Sequence, residues 1–260
     1  MNATSVSPAE PARPRRVLIW DAPVRVFHWL MVFSFAGAWL TAESERWRLL
    51  HVSLGYTMAG LVAFRIVWGF IGPRTARFAS FVRGPKAVVA YLKALLHGRP
   101  EHHSGHNPAG ALAIVGLLAL TVGVTGTGWM QFNDIGGGGE WLEEAHELLA
   151  NTLMALVAVH VAGVLLASRL HHENLVAAMF TGRKSVAAGA RPEEALRSAW
   201  RSVAVLMALA VAGFWWTQWQ SAPRASAEPH ATASSAGSST SATLAPIPQP
   251  QSKHHAHPAG

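Results

Sequence analysis

Five long apolar stretches, separated by polar and charged segments, set the pattern of the chain. They run from about Val24 to Ala42, His51 to Ile71, Ala109 to Phe132, Ala145 to Ser168 and Ser202 to Trp219. Each is about as long as a helix needs to be to cross the hydrocarbon core of a bilayer, and each is nearly free of charge. A sixth segment, residues 86–97 (KAVVAYLKALLH), alternates apolar and basic positions at helical spacing and is expected to lie along a membrane surface. The pattern predicts an all-α membrane protein: a four-helix transmembrane bundle plus a fifth, C-terminal transmembrane helix.

Charge gives the bundle a direction. Lys and Arg number four in residues 1–25, six in 72–108 and six in 169–201, against two in 43–50 and none in 133–144. The loops poor in basic residues carry Glu43, Glu45, Asp134, Glu140, Glu143 and Glu144. An excess of Lys and Arg that alternates with every crossing places the N-terminus in the cytoplasm and the C-terminal tail outside. The net charge of +7 is therefore a topology signal rather than a nucleic-acid footprint. Residues 1–16 read as a disordered basic arm with no apolar core ending in a cleavage site, so the first span is expected to stay as an anchor. Residues 186–201 read as a cytoplasmic linker. The Ser-, Ala-, Pro- and His-rich residues 220–260 read as a disordered tail.

Composition narrows the chemistry. Half of the residues are apolar and only 13% are charged. There are no cysteines, which excludes disulfides, iron–sulfur clusters and thioether-linked haem. The Gly-rich run 136–139 follows no strand and has no phosphate-loop lysine, so it reads as a flexible linker. His254–Pro258 (HHAHP) is a compositional signal for metal and no more.

Four histidines stand inside or at the mouths of the spans: His28, His51, His146 and His160. Ionisable groups at membrane depth are costly and mark function. His146 and His160 are 14 residues apart in one helix, which separates them by about 21 Å and keeps them within about 40° of one face. Given the orientation, His28 lies toward the cytoplasm and His51 toward the outside. Depth then pairs His28 with His160 and His51 with His146. Such pairs suit two stacked haem b groups, non-covalent and bis-histidine, whose filled axial positions leave one-electron transfer as their work. Gly55 and Gly163, near His51 and His160, would let a flat macrocycle approach the backbone. Arg25 and Arg65 are candidate partners for haem propionates at the cytoplasmic end.

The segments RVFHW (25–29), HVSLGY (51–56), GHNPAGAL (105–112) and HELLANTLMALVAVHVAGVL (146–165) resemble the bacterial cytochrome b561 family and the related cytochrome b subunit of nickel–iron hydrogenases. ARF (76–78) and ENLVAAMFTGRK (173–184) belong to the same pattern, and the resemblance covers residues 17–185. It implies a four-helix domain with two bis-histidine haems, its ligands falling on His28, His51, His146 and His160. His106, in GHNP, reads as a helix-start or surface residue. The resemblance also implies electron transfer between membrane quinone and a periplasmic partner, either a cytochrome c or a hydrogenase or dehydrogenase subunit. The fifth span and the tail lie outside it, and a homodimer is compatible with it. Two other functions remain open from sequence: a haem-free divalent-metal transporter and a structural membrane anchor, both using the same histidines.

Overall fold

The computed structural model describes residues 15–82, 84–96, 108–137, 139–170, 173–186, 196 and 199–221. The arm before Arg15, His106, Asn107, most of the 186–201 linker and the tail with His254–Pro258 lie outside the described residues.

The elements are β1 (Arg15–Leu18), α1 (Ala22–Thr41), α2 (Arg48–Ile71), α3 (Phe78–Phe81), α4 (Pro85–Leu96), α5 (Pro108–Phe132), α6 (Glu140–Leu170), α7 (Leu175–Thr181), β2 (Arg183–Val186) and α8 (Arg201–Ser221). Among the described residues, five helical segments, those containing α1, α2, α5, α6 and α8, are long and apolar enough to cross a membrane. The most apolar stretch of α6 is only 6% buried. Phe33, Leu40, Phe70, Leu148, Trp216 and Trp219 also face outward. Apolar helices that leave so much of their surface outward are built for lipid, and the molecule is a multi-pass membrane protein.

Local chemistry sets the helix ends. Asp21 caps α1 by accepting from Val24 N at 2.8 Å, with Pro23 in the first turn. Asn174 caps α7 by accepting from Ala177 N at 2.8 Å. Gly182 ends α7 at φ 76°, where a Cβ would lie 2.6 Å from the Trp20 carbonyl oxygen. Only glycine meets both demands.

Backbone packing runs α8–α1–α2–α5–α6. The α5–α6 contact is antiparallel and is made by glycines. Cβ atoms at Gly116, Gly123 and Gly128 would meet Leu156, Leu149 and His146, at 3.0, 3.2 and 3.0 Å. As the position on α5 rises, the partner on α6 falls, so one strip of small residues lets the two helices approach closely. Among the described residues, α6 has no comparable backbone packing with α1 or α2. It meets α2 through the rings of His146 and His51.

Three details depart from the sequence reading. Arg15 and Arg16 are not part of a disordered arm: β1 pairs antiparallel with β2, with Arg15 opposite Val186 and Leu18 opposite Arg183. The ribbon is held because Ile19 N and Trp20 N both donate to the Gly182 carbonyl (2.9 and 3.0 Å), while Ile19 and Trp20 pack on Ala178. The segment before His146 is helix from Glu140 onward, and Leu142 there is fully buried. The glycine run is a shaped turn as well as a linker, since Gly136 and Gly137 hold φ of 83° and 84°.

Candidate functional site

All four histidines are half-buried along the spans. At the end of the bundle away from the N-terminus, the distal end, the rings of His51 and His146 come together with centroids 6.3 Å apart and planes at 73°. Each uses Nδ1 on a neighbouring helix. His51 Nδ1 lies 2.9 Å from the Ala38 carbonyl of α1. His146 Nδ1 lies 3.1 Å from the Val124 carbonyl and 3.0 Å from the Thr127 hydroxyl, both on α5. A carbonyl can only accept, so Nδ1 carries the proton in both rings and Nε2 keeps its lone pair. An imidazole fixed in this way is prepared to bind a metal through Nε2.

The span that carries no histidine therefore supplies the support for His146. Thr127 Oγ1 itself bonds back to the Gly123 carbonyl at 2.9 Å. Gly128 has no side chain where the His146 ring lies, 3.0 Å from a would-be Cβ. Sequence reasoning passed over Val124, Thr127 and Gly128. The signal was the GTG triplet (126–128) in an otherwise apolar helix, readable only once the antiparallel α5–α6 register is known.

At the N-terminal end, His28 and His160 are near enough to interact electrostatically. The geometry differs from the distal pair. His28 Nδ1 is buried without a hydrogen-bond partner among the described residues, as is the neighbouring Trp29 indole nitrogen. The His28 ring meets Trp29 edge-on at 5.2 Å, and Trp29 stacks on Phe180 of α7 at 4.2 Å.

Arg25 and Arg65 stand beyond this pair with different partners. Arg25 donates to the carbonyls of Asp21 and Phe180, tying α1 to α7. Arg65 is 3% exposed, its guanidinium lying 4.9 Å over the Phe78 ring. One of its terminal nitrogens is buried and has no hydrogen-bond partner among the described residues. A buried cation with a free N–H suits an anionic group. Asp21, 1% exposed, accepts from the Trp68 indole at 3.1 Å as well as from Val24 N. Burial pushes its carboxyl above the ordinary carboxylate range, against the opposing pull of those bonds and of Arg65 and Arg25.

Open space adjoins Gly55 and Gly163: a Cβ at either would meet no heavy atom within 4 Å. Among the described residues no group of three or more His, Asp or Glu side chains converges to hold a bare metal ion. The arrangement offers a pair of imidazoles with prepared nitrogens at the distal end, a second histidine pair at the other end, an α6 without comparable backbone packing on α1 or α2, and a buried cation. These features fit a flat, anionic, iron-bearing macrocycle.

The family described as prokaryotic cytochrome b561 matches residues 19–182. The chain is similar to the "Probable Ni/Fe-hydrogenase B-type cytochrome subunit" of Azotobacter chroococcum mcd 1, 28% identical over 49% of this chain and 64% of that protein. It is also similar to the "Probable Ni/Fe-hydrogenase 1 B-type cytochrome subunit" of Escherichia coli (strain K12), 26% identical over 45% of this chain and 60% of that one. The "Probable Ni/Fe-hydrogenase B-type cytochrome subunit" of Bradyrhizobium diazoefficiens is 21% identical over 65% of this chain and 85% of its own length. The first two matches span less than two thirds of those relatives. No solved structure matches. With a match over most of its helical core, and spans that suit lipid, the chain belongs to the prokaryotic cytochrome b561 family of b-type membrane cytochromes.

Proposed function

We propose that the chain is a di-haem electron carrier that moves electrons across the bacterial inner membrane between the quinone pool and a redox partner on the periplasmic face. The haem-binding domain is residues 17–185. His28 with His160 holds the cytoplasmic haem b, and His51 with His146 holds the periplasmic one. The 6.3 Å centroid separation of His51 and His146, with both Nδ1 atoms bonded to carbonyls, carries this reading. The matched depths of the second pair extend it.

When bound, a bis-imidazole haem supplies one-electron chemistry with no open coordination position. The chain does the rest. Ala38 and Val124 fix the tautomer and aim of the outer imidazoles. Arg65 offers its free N–H to a propionate, while Arg25 serves mainly as a structural latch through Asp21 and Phe180. Gly55 and Gly163 leave room beside the ring positions. Placing the arginine-rich loops in the cytoplasm puts the N-terminus inside and the end of α8 outside. The hydrogenase names of the relatives make a periplasmic hydrogenase-like subunit the first partner to test, with a cytochrome c second.

Haem quantitation on single variants tests the reading. His160→Ala is expected to remove the inner haem and leave the outer one. Unchanged haem content in that variant would contradict the assignment.

A further inference from the structure

The Asp21 carboxylate has no part in the electron path described above. The carboxylate accepts at Oδ1 from Val24 N (2.8 Å) and at Oδ2 from the Trp68 indole N–H (3.1 Å). The charged groups facing it are Arg25 from its own helix and Arg65 from α2, and Arg201 at the start of α8 acts on Arg25.

Described residues just before α8 sit against this cluster. Trp200 meets Trp68 edge-on, with centroids 5.6 Å apart. It does so at φ 50°, a left-handed conformation that a bulky residue holds only when its surroundings enforce it. Ala22 N donates to the Ala199 carbonyl at 2.9 Å, and Leu196 N to the Leu18 carbonyl at 2.8 Å. The lead-in to α8 lies beyond residues 19–182, the part that the family accounts for. It sits against the Trp68 ring that bonds the Asp21 carboxylate.

Asp21 stands seven residues before His28, about 10 Å along the axis and within about 20° of the same face. Charges buried at such range interact strongly because little water screens them. Reduction at the His28–His160 pair removes one positive charge from the neighbourhood, and an acid holds its proton more tightly when nearby positive charge is removed.

We propose that Asp21 is a redox-linked proton site. Its carboxylate takes up one proton from water at that membrane face when one electron from a reduced partner arrives at the His28–His160 pair, and returns it when the electron leaves. The bond formed is Asp21 O–H, the bond broken is an O–H of a hydrated proton, and net charge near the pair is unchanged. This rests on the assignment of a haem to His28 and His160. Asp21 is 1% exposed, and the ring that bonds its carboxylate, Trp68, is packed against Trp200, so the carboxylate has little contact with bulk water.

The test is a redox titration of the haem-loaded protein over a pH series, with reduced-minus-oxidised infrared difference spectra. In the native chain, the potential of the haem lost in His28→Ala falls with rising pH, over a window above the ordinary carboxylate range. The other haem shows no such window. Reduction adds a protonated-carboxyl band that moves on isotopic labelling of aspartate. Asp21→Asn, which keeps the helix cap, raises that potential, flattens its pH dependence and removes the band. Trp200→Ala admits water and moves the window to lower pH, because the carboxyl returns toward its ordinary value. A pH-independent potential in the native chain, or a slope and band that persist in Asp21→Asn, overturns the proposal and leaves the haem assignment intact. Unchanged haem content in His28→Ala overturns both. If Asp21→Asn loses its haem, the labelled band of the native chain decides: its absence overturns the proposal.

Discussion

The two histidine pairs sit on one scaffold and are built by different means. At the distal end, backbone does the positioning: carbonyls of α1 and α5 hold Nδ1 of His51 and His146, and the absent side chain of Gly128 makes room for the second ring. At the N-terminal end, His28 Nδ1 has no partner among the described residues and its ring meets Trp29 edge-on, while the charged residues Asp21, Arg25 and Arg65 interact with one another at the same end of the bundle. Neutral hydrogen bonds set orientation with little net field. Buried charges set a field with less control of orientation. The distal site is accordingly sensitive to shape, and the other to charge.

Removing a ligand breaks the comparison most severely. His146→Ala is expected to halve haem content by emptying the distal site alone, read by pyridine haemochrome assay. Gly128→Val comes next. Its branched side chain would push into the His146 ring, a clash costing about 1–3 kcal/mol. Roughly tenfold weaker haem retention at the distal site is expected, with the other site unchanged.

Arg65→Gln probes the opposite end. A unit charge about 12 Å away contributes about 1.4 kcal/mol at an effective dielectric near 20, equivalent to a shift of about 59 mV for one electron. Loss of this positive charge favours the oxidised form, so the potential of the His28–His160 haem is expected to fall by that order. The distal potential should hardly move. Thr127→Val removes one of two partners of His146 Nδ1 and should cost about 0.5–1.5 kcal/mol, visible as slightly faster haem loss at the distal site. His106→Ala should leave haem stoichiometry unaltered.

Much of this architecture can be read without coordinates because its signals are long or periodic. Five apolar runs of membrane length and an alternating charge bias specify the spans, and α1, α2, α5, α6 and α8 begin and end within about five residues of the expected positions. The ring pair His51–His146 follows from depth along those spans, since helical rise converts residue number into distance. What escapes is everything set by pairing between distant segments. The strands RRVL and RKSV are four residues each, lie far apart in sequence and carry no strong alternation. Val124, Thr127 and Gly128 gain meaning only when α5 and α6 are placed in register. Nothing in the sequence singles out Asp21. Its burial against Arg65, Trp68 and the α8 lead-in depends on three segments meeting.

The most direct test of the central claim is a dithionite-reduced minus oxidised spectrum of the detergent-purified protein, made under haem-sufficient conditions, with pyridine haemochrome quantitation against protein. The account predicts two low-spin b haems per chain. A single haem per chain, or none, would contradict it.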